Sequence, residues 1–181
     1  MLQEQLQGKT PNPRLVTEWL SGLARSPKAG VAVALLSVLP SVGLLPSIFH
    51  HSAAITACEK GGNWELALGL LLEMTVTRVD RDLVTYSAAV SACEKGRQWQ
   101  TALVLLEGMP RLRLGKNVVI YSAAISACEK GHQWKEALVL LHEMADASVE
   151  RNVVSYHAAI TACGNSGRWE PALAVVDELC P

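Results

Sequence analysis

A fixed interval of 35 residues runs through most of this chain. Cys58, Cys93, Cys128 and Cys163 are spaced by 35, and so are Trp64, Trp99, Trp134 and Trp169. One unit of that length cannot bury its own apolar face. A period in the range of about 20–50 residues therefore implies units stacked on one another, each covering the next.

Within a unit, Tyr86, Ala89, Val90 and Cys93 follow the i, i+3, i+4, i+7 spacing of one helix face. A second run places Trp99, Ala102, Leu103, Leu106 and Met109 on one face in the same way. Between them stands Glu94-Lys95-Gly96, where a cation meets the negative helix end and glycine suits a left-handed cap. Gly61, Gly96 and Gly131, and Asn165-Ser166-Gly167 in the last unit, are expected at this tight connection, just before each Trp. Pro171 fits near the start of a second helix, where a missing N–H is tolerated. Each unit is thus a helical hairpin and the fold all-α. The pairs Ala53-Ala54, Ala88-Ala89, Ala123-Ala124 and Ala158-Ala159 let neighbouring helices approach closely, while the tryptophans are expected to fill the wider gaps as buried anchors. Burying a Trp removes about 150–250 Å² from water, worth at most about 4–6 kcal/mol.

With 181 residues, half of them apolar and 18% charged, the chain can bury a sizeable core. Its formal charge of -1 excludes a global basic field, so nucleic-acid binding would need locally placed cations. Four of the five cysteines recur at one position of helices roughly 8–10 Å apart, too far for disulfides or a shared zinc, and read as buried structural thiols. Cys180 stands outside the pattern and carries no information. No His-x-Glu with a following Cys-x-x-Cys and no phosphate-cradling glycine loop is present. His50, His51, His132, His142 and His157 lack a consistent partner. Neither catalysis, nor a cofactor, nor a bound metal is expected.

Residues 1–12 form a polar extension with no signal-peptide pattern and no clear organelle presequence. The run Gly30 to Phe49 is nearly free of charge and about long enough to span a membrane, but Pro40 and Pro46 interrupt it. Ala32, Leu35 and Leu36 stand one period before Ala67, Leu70 and Leu71. The run is therefore read as part of a worn capping unit, 13–47, with a membrane anchor as the alternative. Three full units follow at 48–82, 83–117 and 118–152, and a truncated fourth at 153–181.

The unit VVIYSAAISACEKGHQWKEALVLLHEM, repeated every 35 residues, resembles the pentatricopeptide repeat, and its YSAAISACEKG wording is similar to repeats of dinoflagellate organelle proteins. The resemblance covers about 48 to 181. It implies a right-handed superhelical solenoid of helix-turn-helix repeats that binds single-stranded RNA, one base per repeat. It implies mitochondrial or plastid RNA processing, editing, stability or translation, alongside other repeat proteins or RNA-processing enzymes. Frames at Ile48, Leu83, Val118 and Val153 place Ser52, Ser87, Ser122 and His157 at the base-reading fifth position, with Asp82, Asn117 and Asn152 closing the first three frames. The family's code then implies G-A-A. The resemblance also assigns Phe49, Val84, Val119 and Val154 to sandwiching bases and Lys60, Lys95 and Lys130 to phosphates.

Each residue also has a plainer reading. Asp82, Asn117 and Asn152 precede apolar helices, where Asp and Asn serve as N-caps. The lysines follow glutamates, as in Glu94-Lys95, and suit a helix C-terminus. His157 departs from the Ser of the other units and His51 from the tyrosine at Tyr86, Tyr121 and Tyr156, so base choice at the fourth unit is open. Three reading units limit affinity to the micromolar range or weaker. The competing function is a peptide-binding scaffold of the tetratricopeptide kind.

Overall fold

The computed structural model describes residues 13–178, and for Pro13, Arg14 and Val42 the backbone alone. The polar extension 1–12 and Cys180 lie outside the described residues. The chain divides into two compact units, Met1–Ala92 and Cys93–Pro181. The first holds α1 (Pro13–Ala24), α2 (Ala29–Val38), a 3-10 turn at Leu39–Val42, α3 (Ile48–Gly61) and α4 (Trp64–Val76). Helix α5 (Leu83–Lys95) crosses the boundary. The second unit continues with α6 (Trp99–Gly108), a 3-10 turn at Met109–Leu112, α7 (Val118–Lys130), α8 (Trp134–Asp146), α9 (Val153–Asn165) and α10 (Trp169–Asp177). No strand occurs among the described residues.

The helices start in phase. First helices begin at 13, 48, 83, 118 and 153, and second helices at 29, 64, 99, 134 and 169. Within the first compact unit α1 packs on α3 and α2 on α4; within the second, α7 packs on α9. Like helices therefore stack on like helices, while α3 with α4, α7 with α8 and α9 with α10 form the hairpins. Ala53-Ala54, Ala123-Ala124 and Ala158-Ala159 are buried on the first helices that make these contacts, which lets those helices close on their neighbours. The run from Gly30 to Phe49 is divided among α2, the 3-10 turn at Pro40, an extended stretch and the start of α3. Among the described residues no helix is long and apolar enough to cross a membrane.

The connections differ from the expectation by one residue. The left-handed position is occupied by Gly62, Arg97, His132 and Gly167, not by Gly61, Gly96 or Gly131. A second left-handed position recurs at Gly43, Arg78, Arg113 and Ser148, between each second helix and the next first helix. Gly131 has φ of -88°, so its conformation does not demand glycine. Space does. A Cβ built there would lie 2.3 Å from Trp99 Cδ1 and 2.8 Å from its Cγ. The glycine is the seat for the preceding hairpin's indole. Accordingly Trp64, Trp99 and Trp134 are half-buried rather than the fully buried anchors expected, and Trp169 is 65% exposed.

Cys58, Cys93, Cys128 and Cys163 are free and fully buried. Burial pushes the thiols of Cys58 and Cys93 up to about 11 and that of Cys128 up to about 12. The thiolate fraction of these three at pH 8 is thus about one in a thousand or less. Site-resolved alkylation at pH 8 is expected to leave peptides carrying all four residues unmodified until denaturant is added. Labelling at native-state rates typical of exposed thiols would contradict the burial.

Candidate nucleic-acid interface

The second residue of each first helix from α3 onward is a large apolar side chain left in solvent. Phe49, Val84, Val119 and Val154 are 49%, 58%, 53% and 55% exposed, although the alanines four or five residues on are buried. Apolar residues held out of the core in one recurring phase need a reason beyond packing. One turn further along the same helices lie the fifth-position residues. Ser52 and Ser87 are half-buried, Ser122 is buried and His157 is exposed.

The residues that close the frames immediately precede α5, α7 and α9, and all three are N-caps, as the plainer reading held. Thr85 N–H donates to Asp82 Oδ1 at 2.8 Å, Ile120 N–H to Asn117 Oδ1 at 3.0 Å and Ser155 N–H to Asn152 Oδ1 at 2.8 Å. Capping does not exhaust them. With Oδ1 engaged by the backbone, the second terminal atom remains: a carboxylate oxygen in Asp82, an amide Nδ2–H₂ in Asn117 and Asn152. Ser122 Oγ–H donates to Asn152 Oδ1 at 3.2 Å, so the fifth and last residues of that frame form one polar group. It presents the hydroxyl's lone pairs beside the amide's N–H donors.

The lysines stand at the other end of the same helices. Lys60, Lys95 and Lys130 occupy the last turns of α3, α5 and α7. Val119 and Lys130 are separated by eleven residues, roughly 17 Å along the axis. Lys60 and Lys95 are exposed, and Lys130 Nζ is 2.6 Å from Glu94 Oε1. The glutamate that neutralises Lys130 is therefore one period away, not its neighbour Glu129. A phosphate at Lys130 must share or displace that carboxylate.

Groups that sequence reasoning missed surround the caps. Glu143 on α8 pairs with Lys116 Nζ and accepts Tyr121 O–H at 2.9 Å, and Lys116 Nζ lies 5.5 Å from the Tyr121 ring centre. One period later Glu178 accepts from Arg151 at 2.7 Å, with the guanidinium 5.2 Å over Tyr156. Burial first, and then Glu143, push the Tyr121 phenol well above its ordinary range, which keeps it a donor. The recurring cation, Tyr and Glu spacing is present in the sequence, but only the hairpin geometry brings these groups together.

The pentatricopeptide repeat domain model matches residues 104–166, and the PPR repeat model matches 49–76, 84–114 and 154–180. The chain belongs to the pentatricopeptide repeat family. No curated protein matches it. Among solved structures, it is 26% identical to the pentatricopeptide repeat protein PPR10 from maize, with a TM-score of 0.75 over 97% of this chain and 25% of that one. It spans about a quarter of the maize protein's length. The PPR domain of Arabidopsis thaliana protein-only RNase P 1 in complex with tRNA has a TM-score of 0.78 at 12% identity, covering 92% of this chain and 88% of that domain. PPR10 in complex with an 18-nt psaJ RNA element gives 0.58 at 19% identity, over 95% of this chain and 30% of that one. The fold is that of the all-α pentatricopeptide solenoids. Among the described residues of this repeat protein, no group of three His, Cys, Asp or Glu side chains could hold a metal.

Proposed function

We propose that this repeat module binds single-stranded RNA, with the first helices' exposed apolar residues sandwiching bases and the capped Asp and Asn residues reading them. The observation that carries the reading is the Ser122–Asn152 group. Its hydroxyl oxygen can accept from an exocyclic amine while Asn152 Nδ2 donates, which matches the donor and acceptor on adenine's pairing edge. Where the closing residue is Asp82, the outer atom is a second acceptor and matches the two donors of guanine. Repeated in frame, Ser52 with Asp82, Ser87 with Asn117 and Ser122 with Asn152 read G-A-A. The RNA-bound structure of PPR10 supports this class of ligand. A role in organelle RNA processing is part of the same proposal, resting on the family resemblance, and Lys60, Lys95 and Lys130 supply the phosphate contacts.

Asn152→Asp is the direct test, because an Asp keeps both the cap and the Ser122 hydrogen bond and changes only the outer atom. In competition binding with short oligonucleotides, preference at the third base is expected to move from adenine to guanine by about ten-fold, the loss and gain of one edge contact. Unchanged preference sinks the code. For the wild type, the slope of log K against log salt should be about -2 for three phosphate contacts to a single strand. A salt-insensitive partner, or none among RNAs, would favour a peptide groove instead.

A further inference from the structure

We propose that Glu143 is a positioning residue for base recognition: from the second helix it locks the two chain segments that carry Asn117 and Ser122. This inference rests on the RNA-reading proposal and extends it to residues that never touch the base. Lys116 is the backbone neighbour of Asn117, and Tyr121 is the backbone neighbour of Ser122. Glu143 holds both neighbours, through the Lys116 ion pair and the Tyr121 hydrogen bond of 2.9 Å. The cation and the ring also face each other. Together with the Asn117 cap on Ile120 N–H, the start of α7 is fastened at three points.

The same device recurs at the next frame. Glu178 holds Arg151, the neighbour of Asn152, and Arg151 lies over Tyr156, the neighbour of His157. The third-base pair is therefore clipped from both sides, Ser122 through Tyr121 and Glu143, and Asn152 through Arg151 and Glu178. The first-base pair has no such support. His51, beside Ser52, stands 3.9 Å from Glu73, beyond hydrogen-bond length, and Arg81, beside Asp82, donates to Thr75 Oγ1 at 2.9 Å. Gly108 occupies the phase that holds Glu73, Glu143 and Glu178 in the other three units of the 48–181 array. Recognition by hydrogen bonds depends on holding donors and acceptors in place before the ligand arrives, so positioning should be graded along the array and tightest at the third base.

Glu143→Gln separates positioning from stability. The amide can still accept from Tyr121 but no longer pairs with the Lys116 charge. In competition binding, adenine preference at the base that Asn117 reads is expected to fall about five-fold, the scale of one lost charge-assisted hydrogen bond, while guanine preference at the first base stays unchanged. Glu73→Gln, in the unit without a clip, is expected to alter neither. A purely structural role would weaken all oligonucleotides in parallel with a lower thermal midpoint and leave the base ratios intact; that result, or equal loss of preference at every base, overturns the proposal. Should Glu143→Gln not fold, Tyr121→Phe removes the other arm of the clip and is read as a fall in adenine preference at the third base, where Ser122 pairs with Asn152. A wild type with no base preference at any position refutes the RNA-reading proposal itself, a separate outcome from retained preference that Glu143→Gln leaves untouched.

Discussion

Gly131→Ala is expected to destabilise the protein by about 2 kcal/mol, although the same substitution in a helix is ordinarily favourable. The added methyl would sit 2.3 Å from Trp99 Cδ1 and 2.8 Å from Cγ, atoms near the root of the indole rather than its free edge. The whole ring must swing away. It then loses contact with the hairpin it covers, and the adjacent hairpins separate. For a chain of this length each kcal/mol shifts the thermal midpoint by roughly 2–4 °C, so a drop of about 4–8 °C is expected. Tryptophan emission should move to longer wavelength as Trp99 becomes wetter. The control is Gly69→Ala, within the second helix α4, where nothing lies within 4 Å of the new Cβ. Relief from glycine's backbone entropy should there raise stability by about 0.5–1 kcal/mol. If both substitutions shift the midpoint in the same direction, the seat between Trp99 and Gly131 is not what fixes the register.

That pair of glycines also shows which parts of the fold the sequence discloses. The period, the two helices of each hairpin and the buried faces all follow from residue spacing, because apolar burial depends on periodicity alone. Gly131 was legible as a junction but not in its role. Arg97 and His132 fill two of the four left-handed positions, so a search for glycine lands one residue early, on a position selected by the neighbour's indole. The tryptophans mislead for a related reason. Trp99 lies against the next hairpin rather than inside its own, and Trp169 remains 65% exposed. Side-chain pairing is harder still to read, since Lys130 bonds to Glu94 across a full period and not to the adjacent Glu129.

The candidate site was visible as a phase and not as a geometry. Asp82, Asn117 and Asn152 fit both capping and base reading in sequence. In the folded protein all three are caps, and each cap engages one terminal atom and leaves the other. Glu143 gave no signal of its own, being one of many charged residues on a second helix. Its partners Lys116 and Tyr121 lie 27 and 22 residues away, and only the folded hairpin makes them neighbours.

His51→Tyr is expected to raise stability by about 1 kcal/mol, the scale of one unsatisfied buried polar atom relieved while one hydrogen bond is exchanged for another. His51 is fully buried, and its Nδ1 lies 3.0 Å from the Ser47 carbonyl oxygen, so the proton belongs on that nitrogen. Its Nε2 has no hydrogen-bond partner and stands 3.9 Å from Glu73 Oε1, beyond hydrogen-bond length. An unsatisfied buried polar atom costs roughly 1–3 kcal/mol. Tyr121 and Glu143 stand two periods later in sequence and show what fits this phase: a fully buried ring whose O–H reaches the glutamate at 2.9 Å. A tyrosine in place of His51 removes the unpaired atom and exchanges the ring's bond to the Ser47 carbonyl for that bond to glutamate. The urea midpoint should rise at an unchanged m value. His51→Phe is the control: it removes the bare nitrogen without adding the bond and should gain less. A midpoint below that of the wild type for His51→Tyr would mean that α3 and α4 enclose less room than α7 and α8 do, and that the histidine is there for its size.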